Sequence, residues 1–154
     1  MPQYIIAATK EDYSAAATLF KEYASWLNID LSFQHFEEEL SGIKQMYRLP
    51  EGGIILCKEG EEYIACVGIR KHDSETAEMK RMYVKPSHQG KGVASELVRR
   101  SLQLAKDCNY TSLVLDTLST MIPAMNLYKK SGFREIPAYY HNPNKTVIYF
   151  KRTL

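Results

Sequence analysis

The chain has little that could tie it down covalently or through a metal. Cysteine occurs three times in 154 residues, at Cys57, Cys66 and Cys108, with no C-x-x-C spacing, which argues against a disulfide framework. Cys57 and Cys66 fall in apolar runs that suit small buried thiols, and this usage fits a reducing cytoplasm. The four histidines, His35, His72, His88 and His141, show neither H-x-x-x-H nor H-E-x-x-H spacing, so no metal site is expected. No apolar run approaches the ~18 residues of a membrane span. Met1-Pro2-Gln3-Tyr4 has neither the basic nor the apolar region of a signal peptide, so none is expected. A net charge of +2 gives no basis for binding nucleic acid or a membrane surface. Two phosphate fingerprints are missing as well, the G-x-G-x-x-G of dinucleotide folds and the G-x-x-x-x-G-K-S/T of the P-loop. Repeats, linkers and low-complexity segments are absent.

What is present reads as one soluble domain over 1–154, long enough to bury a core unaided. Apolar content of 45% and charge of 25% are ordinary for that class. Tyr4 to Ala8 reads as a first strand. Thr9 then starts a helix, with Asp12 completing a capping box and Ala16, Leu19, Phe20, Tyr23 and Leu27 on its apolar face. A second helix is predicted from near Ser32, carrying Phe33, Phe36, Leu40 and Ile43, with Glu37, Glu38 and Glu39 as its solvated face. Ile54 to Lys58 and Tyr63 to Arg70 form a hairpin about Glu59-Gly60-Glu61. Thr76 to Val84 is the next strand, followed by a helix from Gly92 to about Asp107 and a strand from Ser112 to Asp116. Pro123 sits in the first turn of a helix that ends at Gly132. Phe133 to Ile136 and Thr146 to Lys151 are late strands. The order β-α-α-β-β-β-α-β-α-β-β is an α+β arrangement around one mixed sheet.

The loop Val84-Lys85-Pro86-Ser87-His88-Gln89-Gly90-Lys91-Gly92-Val93-Ala94 is the most informative segment. Pro86 stops the strand because it gives no donor to a ladder. Glycines then let the backbone turn tightly and approach a ligand, and the free N–H groups of the next helix make an anion site. The segment therefore reads as a phosphate cradle, against the plainer reading of an ordinary glycine turn.

Three motifs carry a resemblance. Gln89-x-x-Gly92-x-Ala94 resembles the Q/R-x-x-G-x-G/A motif of the GCN5-related N-acetyltransferases, the GNAT superfamily. Glu78-Met79-Lys80-Arg81-Met82-Tyr83-Val84 is similar to the family's E-h-x-R-h-h-V strand, and Ala124 to Phe133 to its A-x-x-L-Y-x-x-x-G-F segment. The resemblance covers roughly residues 3 to 152 and extends to a group of small, uncharacterised bacterial GNAT proteins. It implies the GNAT fold: a mixed, mostly antiparallel sheet flanked by helices, with a splayed parallel strand pair holding acetyl-coenzyme A (acetyl-CoA). The pantetheine arm would lie along Met82, Tyr83 and Val84, and the amides of Gln89, Gly90, Lys91, Gly92, Val93 and Ala94 would hold the pyrophosphate. Lys91, Lys129 and Lys130 either approach the phosphates or are simply solvated. Met121 stands where many members have an asparagine, seven residues before the tyrosine, so that side-chain amide contact is not expected.

Acyl transfer to an amine needs a neutral amine, a polarised thioester carbonyl and a stabilised leaving thiolate. By its match to the family tyrosine, Tyr128 is the candidate general acid and a cofactor contact, against a purely packing role. Glu78 is the candidate general base, or a substrate anchor, or a structural partner of Lys80 or Arg81. Simple alternation places Glu78, Lys80, Met82 and Val84 on one face. Tyr139 and Tyr140, read as exposed beside prolines, are expected to line the acceptor pocket with Phe33 and Glu78; a dimer contact or a packed loop is the alternative. His35 could border the same pocket. The resemblance thus implies an acetyl-CoA-dependent N-acetyltransferase acting on a primary amine of a small molecule in a ternary complex, since no cysteine is evidently placed for an acetyl-enzyme. A protein or peptide acceptor is the alternative, or a non-catalytic CoA-binding regulatory module. A homodimer is left open.

Overall fold

The structure, a computed structural model, describes residues 1–28, 31 and 35–154. The expected element order is present: β1 (Gln3–Ile6), α1 (Lys10–Leu27), α2 (Phe36–Ser41), α3 (Ile43–Met46), β2 (Gly53–Glu59), β3 (Glu62–Lys71), β4 (Thr76–Val84), α4 (Val93–Asp107), β5 (Ser112–Leu118), α5 (Ile122–Lys130), β6 (Arg134–Ile136) and β7 (Val147–Thr153). Helix α1 starts where the capping box puts it: the Asp12 amide donates to Thr9 Oγ1 at 3.0 Å, and the Thr9 amide to Asp12 Oδ2 at 3.2 Å. The single second helix expected from near Ser32 is a pair, α2 and α3, broken at Gly42. Ser32 and Phe33 lie outside the described residues.

The strands form one seven-stranded sheet in the order β1-β2-β3-β4-β5-β7-β6. Every neighbouring pair is antiparallel except β4 and β5. The central strands are apolar on both faces because both are covered. Ile54, Leu56 and Cys66 pack toward α1 with Leu19, Phe20 and Tyr47. Ile55, Val67 and Ile69 pack toward α4 with Leu97, Val98 and Ala105. No described helix is long and apolar enough to cross a membrane.

The parallel pair positions the site. Its register runs only from Thr76–Ser112 to Glu78–Val114. Past Glu78, β4 stays paired with β3 and β5 with β7, and the two part. The parting coincides with a bulge. The β3–β4 register shifts between Cys66 and Gly68, and Arg81 takes φ 59°, so β4 carries one residue too many. Simple alternation therefore fails here. Lys80 and Arg81 are both buried, and Arg81 reaches Glu39 on the α1–α2 side. Met82 and Val84 lie against the α4 side instead, so Glu78 and Lys80 do not share a face with them.

Candidate active site

Beyond β4 the chain makes one 3₁₀ turn over Pro86–His88 and enters α4 through Gly90 and Gly92, at φ 77° and 84°. Such values favour glycine, and a Cβ at either position would meet no atom within 4 Å. Gln89 Nε2 donates to the Val84 carbonyl at 3.0 Å and ties the turn to the strand. The first helical bond is Glu96 N–H to the Gly92 carbonyl, so the amides of Val93, Ala94 and Ser95 precede it. No side chain caps this 15-residue helix. Its unpaired N–H groups and positive dipole end face a groove.

The groove is a cavity of about 470 Å³ between the end of β4, the start of α4 and α5. Of the expected cofactor residues, Met82, Tyr83, Val84, Gln89, Gly90, Gly92, Val93 and Ala94 line it. Lys91 is exposed in the turn and does not. Trp26, from α1, an aromatic residue suited by its type to an amphipathic or aromatic acceptor, lines the groove 6.0 Å from the Tyr83 ring. At the deep end a joint of about 50 Å³ shares Met82, Met121 and Ala124 with the groove and adds Tyr128, Lys80, Arg81 and Asp116. An uncapped helix end, a groove of this volume and a phenol in the joint that adjoins it fit a thioester carried on a pyrophosphate-bearing arm.

Tyr128 lies on α5, packed against Phe133 and Phe150 at 5.8 and 6.1 Å between ring centres. Burial first, then the nearby Tyr23 hydroxyl and Asp116 carboxylate, push its hydroxyl far above the ordinary phenol value. The group is protonated at any physiological pH. Glu78 is also buried, but its oxygens are engaged. Arg70 Nε donates to Oε1 at 3.0 Å and the Tyr139 hydroxyl to Oε2 at 2.7 Å. Burial pushes this carboxyl up, yet Lys80, Arg70 and the Tyr139 bond outweigh it and hold it below its usual value. Arg70 is thus a hydrogen-bonded ion-pair partner of Glu78, while Arg81 pairs with Glu39. Glu78 lines neither the groove nor the joint.

The twin tyrosines are not exposed. Tyr139 and Tyr140 are half-buried, pack edge-to-face against Tyr149 at 5.3 and 5.5 Å between ring centres, and place their hydroxyls on Glu78 and Asp116. They brace two carboxylates on adjoining strands. Phe33, expected to join them, lies outside the described residues. Glu39, read from sequence as solvated, is buried and holds Arg81 through bonds of 2.8 and 3.1 Å, while accepting from the Tyr47 hydroxyl at 2.9 Å. Sequence reasoning also passed over Asp116, a lone acid at the end of a strand. Burial raises all three thiols, most strongly Cys66, and none lines the groove or joint. Among the described residues no three His, Cys, Asp or Glu side chains converge on a metal-sized site.

Comparison with known proteins agrees with this geometry. The Acetyltransferase (GNAT) family model matches residues 16–133. An uncharacterised N-acetyltransferase of Schizosaccharomyces pombe is 35% identical over 150 residues, covering 95% of this chain and 92% of that one. The crystal structure of an acetyltransferase from Streptococcus agalactiae superposes with a TM-score of 0.80 at 20% identity, covering 99% of this chain and 98% of the other. A GNAT family acetyltransferase from Elizabethkingia anophelis, solved with acetyl-CoA bound, superposes at 0.67 and 22% identity, covering 99% and 98%. The chain belongs to the GNAT family of acetyltransferases.

Proposed function

We propose that this chain is an acetyl-CoA-dependent N-acetyltransferase that moves the acetyl group to a primary amine of a small molecule by direct transfer in a ternary complex. The observation that carries the reading is the uncapped end of α4 on a groove that adjoins, through Met82, Met121 and Ala124, the joint lined by Tyr128. When bound, acetyl-CoA supplies an activated acetyl thioester. The amides of Val93, Ala94 and Ser95 with the Gly90–Gly92 turn hold its pyrophosphate, and the open edge of β4 at Met82 to Val84 takes the arm as an added strand would. Tyr128 donates its hydroxyl hydrogen toward the departing sulfur, which a phenol held protonated can do. Of the three roles open to Glu78, its geometry favours a fixed counter-charge that seats Tyr139 and Arg70 beside the acceptor end.

A small acceptor is favoured because segment 139–144 closes over that end, where Asn142 and Asn144 line a hollow of about 40 Å³. Direct transfer is favoured because burial disfavours thiolate at every cysteine. The free thiols fit a reducing compartment such as the cytoplasm. The test is initial-rate kinetics with acetyl-CoA and a turned-over amine both varied. Intersecting reciprocal plots, with no gain of an acetyl group by the protein on incubation with acetyl-CoA alone, are expected. Parallel plots with an acetylated protein would contradict direct transfer.

A further inference from the structure

Resting on that reading, we infer that Asp116 is the residue that receives the acceptor amine. The joint beside Tyr128 and the hollow under Asn142 and Asn144 are neighbouring cavities, and Asp116 lines both. Among the described residues that line these two and the groove, it is the sole carboxylate. Glu78 lines none of the three.

The carboxylate is oriented for the task. It accepts from the Tyr140 hydroxyl, which in turn accepts from Asn142 Nδ2 at 3.0 Å. Segment 139–144 therefore closes the hollow and fixes the acid at once. The joint is otherwise cationic, since Lys80 and Arg81 line it. The Arg81 guanidinium is committed to Glu39 at 2.8 and 3.1 Å, and the Glu78 carboxylate to Arg70 and Tyr139. An entering ammonium meets one anion, Asp116, and pairs with it. The pair with Asp116 favours the ammonium, while burial beside Lys80 and Arg81 opposes it, and the carboxylate in contact with the nitrogen is placed to take its proton.

The step then balances. One N–H proton of the ammonium passes to the Asp116 carboxylate and on to solvent. The nitrogen lone pair attacks the thioester carbonyl carbon; a C–N bond forms and the C–S bond breaks, its electron pair leaving on sulfur. The sulfur takes the Tyr128 proton, and the second proton released from nitrogen restores the phenol. One proton is released overall, with acetyl amide and CoA thiol as products.

The test uses Asp116→Asn, which keeps an oxygen for Tyr140 and removes the charge. Spermidine, lysine, tyramine and kanamycin are screened as acceptors, and the best one is carried forward. Acetyl-CoA affinity is measured by calorimetry, as is affinity for that amine with CoA present. The account expects acetyl-CoA affinity within about twofold of wild type, with amine Kd and KM raised and kcat lowered by at least about tenfold each. Amine Kd, KM and kcat all within about twofold, with acetyl-CoA affinity retained, would overturn the assignment. If Asp116→Asn no longer binds acetyl-CoA, Asp116→Glu is read by the same criteria; its displaced charge should still lower kcat/KM about tenfold. Acetyl-CoA binding without turnover of any of the four amines by the wild-type chain would defeat the parent reading, and this one with it.

Discussion

Tyr128 and Glu78 show how burial does opposite things to two acids. Burial, reinforced by Asp116, drives the phenol up and keeps its proton in place, whereas for Glu78 two cations and a hydroxyl reverse the effect of burial and keep the charge. A group that holds its proton suits a donor, and one whose oxygens are both engaged suits a fixed charge. Tyr128→Phe should therefore lower kcat about 10²-fold while leaving acetyl-CoA affinity within about twofold, as stopped-time product assays and calorimetry would show. Tyr139→Phe removes the 2.7 Å bond to Glu78 but keeps the edge-to-face contact with Tyr149. It should raise acceptor KM about three- to tenfold with little change in acetyl-CoA affinity, and an unchanged KM would remove Tyr139 from the acceptor end. Tyr128 was legible in the sequence because it lies at a fixed distance before Gly132-Phe133. Asp116 was not, because a lone aspartate at a strand end looks like any other until the sheet shows which cavities it lines.

At the scale of elements, the strand–turn–helix around Gly90 and Gly92 could be read directly. A proline that ends a strand and two glycines before a helix leave few other backbones. Gly92→Val places a β-branched residue at φ 84° and should cost about 1–2 kcal/mol in urea unfolding, and it should weaken acetyl-CoA binding more than tenfold by roofing the cradle. The course of β4 could not be read in the same way. The bulge at Arg81 has no composition signal: an arginine takes a left-handed conformation because Glu39 on α2 holds its guanidinium in two bonds. The same pair explains why Glu39 is not on a solvated face, despite lying in a run of three glutamates. Glu39→Gln leaves a buried guanidinium without its counter-charge and should destabilise the chain by about 3–5 kcal/mol. A loss below about 1 kcal/mol would show that α2 does not anchor the bulge.

Across the whole molecule, buried carboxylates set the acid limit. Glu39 and Glu78 both titrate below the ordinary glutamate value because Arg81, and Lys80 with Arg70, outweigh the cost of their burial. Each binds its proton more weakly folded than unfolded, so acidification favours the unfolded chain. Their contribution is complete above the unfolded value of about 4.3 and is lost as pH falls through the lower folded values. Thermal unfolding should give a Tm that is flat from about pH 5 to 7 with respect to these two groups and falls steeply below about pH 4. The parallel pairing of β4 with β5 and their parting followed from the family resemblance, whereas the sheet order came only with the structure. Local periodicity gave only the order of elements, since strand neighbours are fixed by contacts between residues far apart in the chain.

The most direct test of the account is chromatographic measurement of CoA and acetylated amine formed from acetyl-CoA and a panel of polyamines, amino acids, aminoglycosides and peptides, for the wild-type chain and Tyr128→Phe. The account predicts equal amounts of CoA and acetyl amide with a small-molecule acceptor, slowed in the variant. Release confined to peptides would contradict the small-molecule reading. CoA formation no faster than without acceptor, with acetyl-CoA nonetheless bound, would contradict the catalytic one.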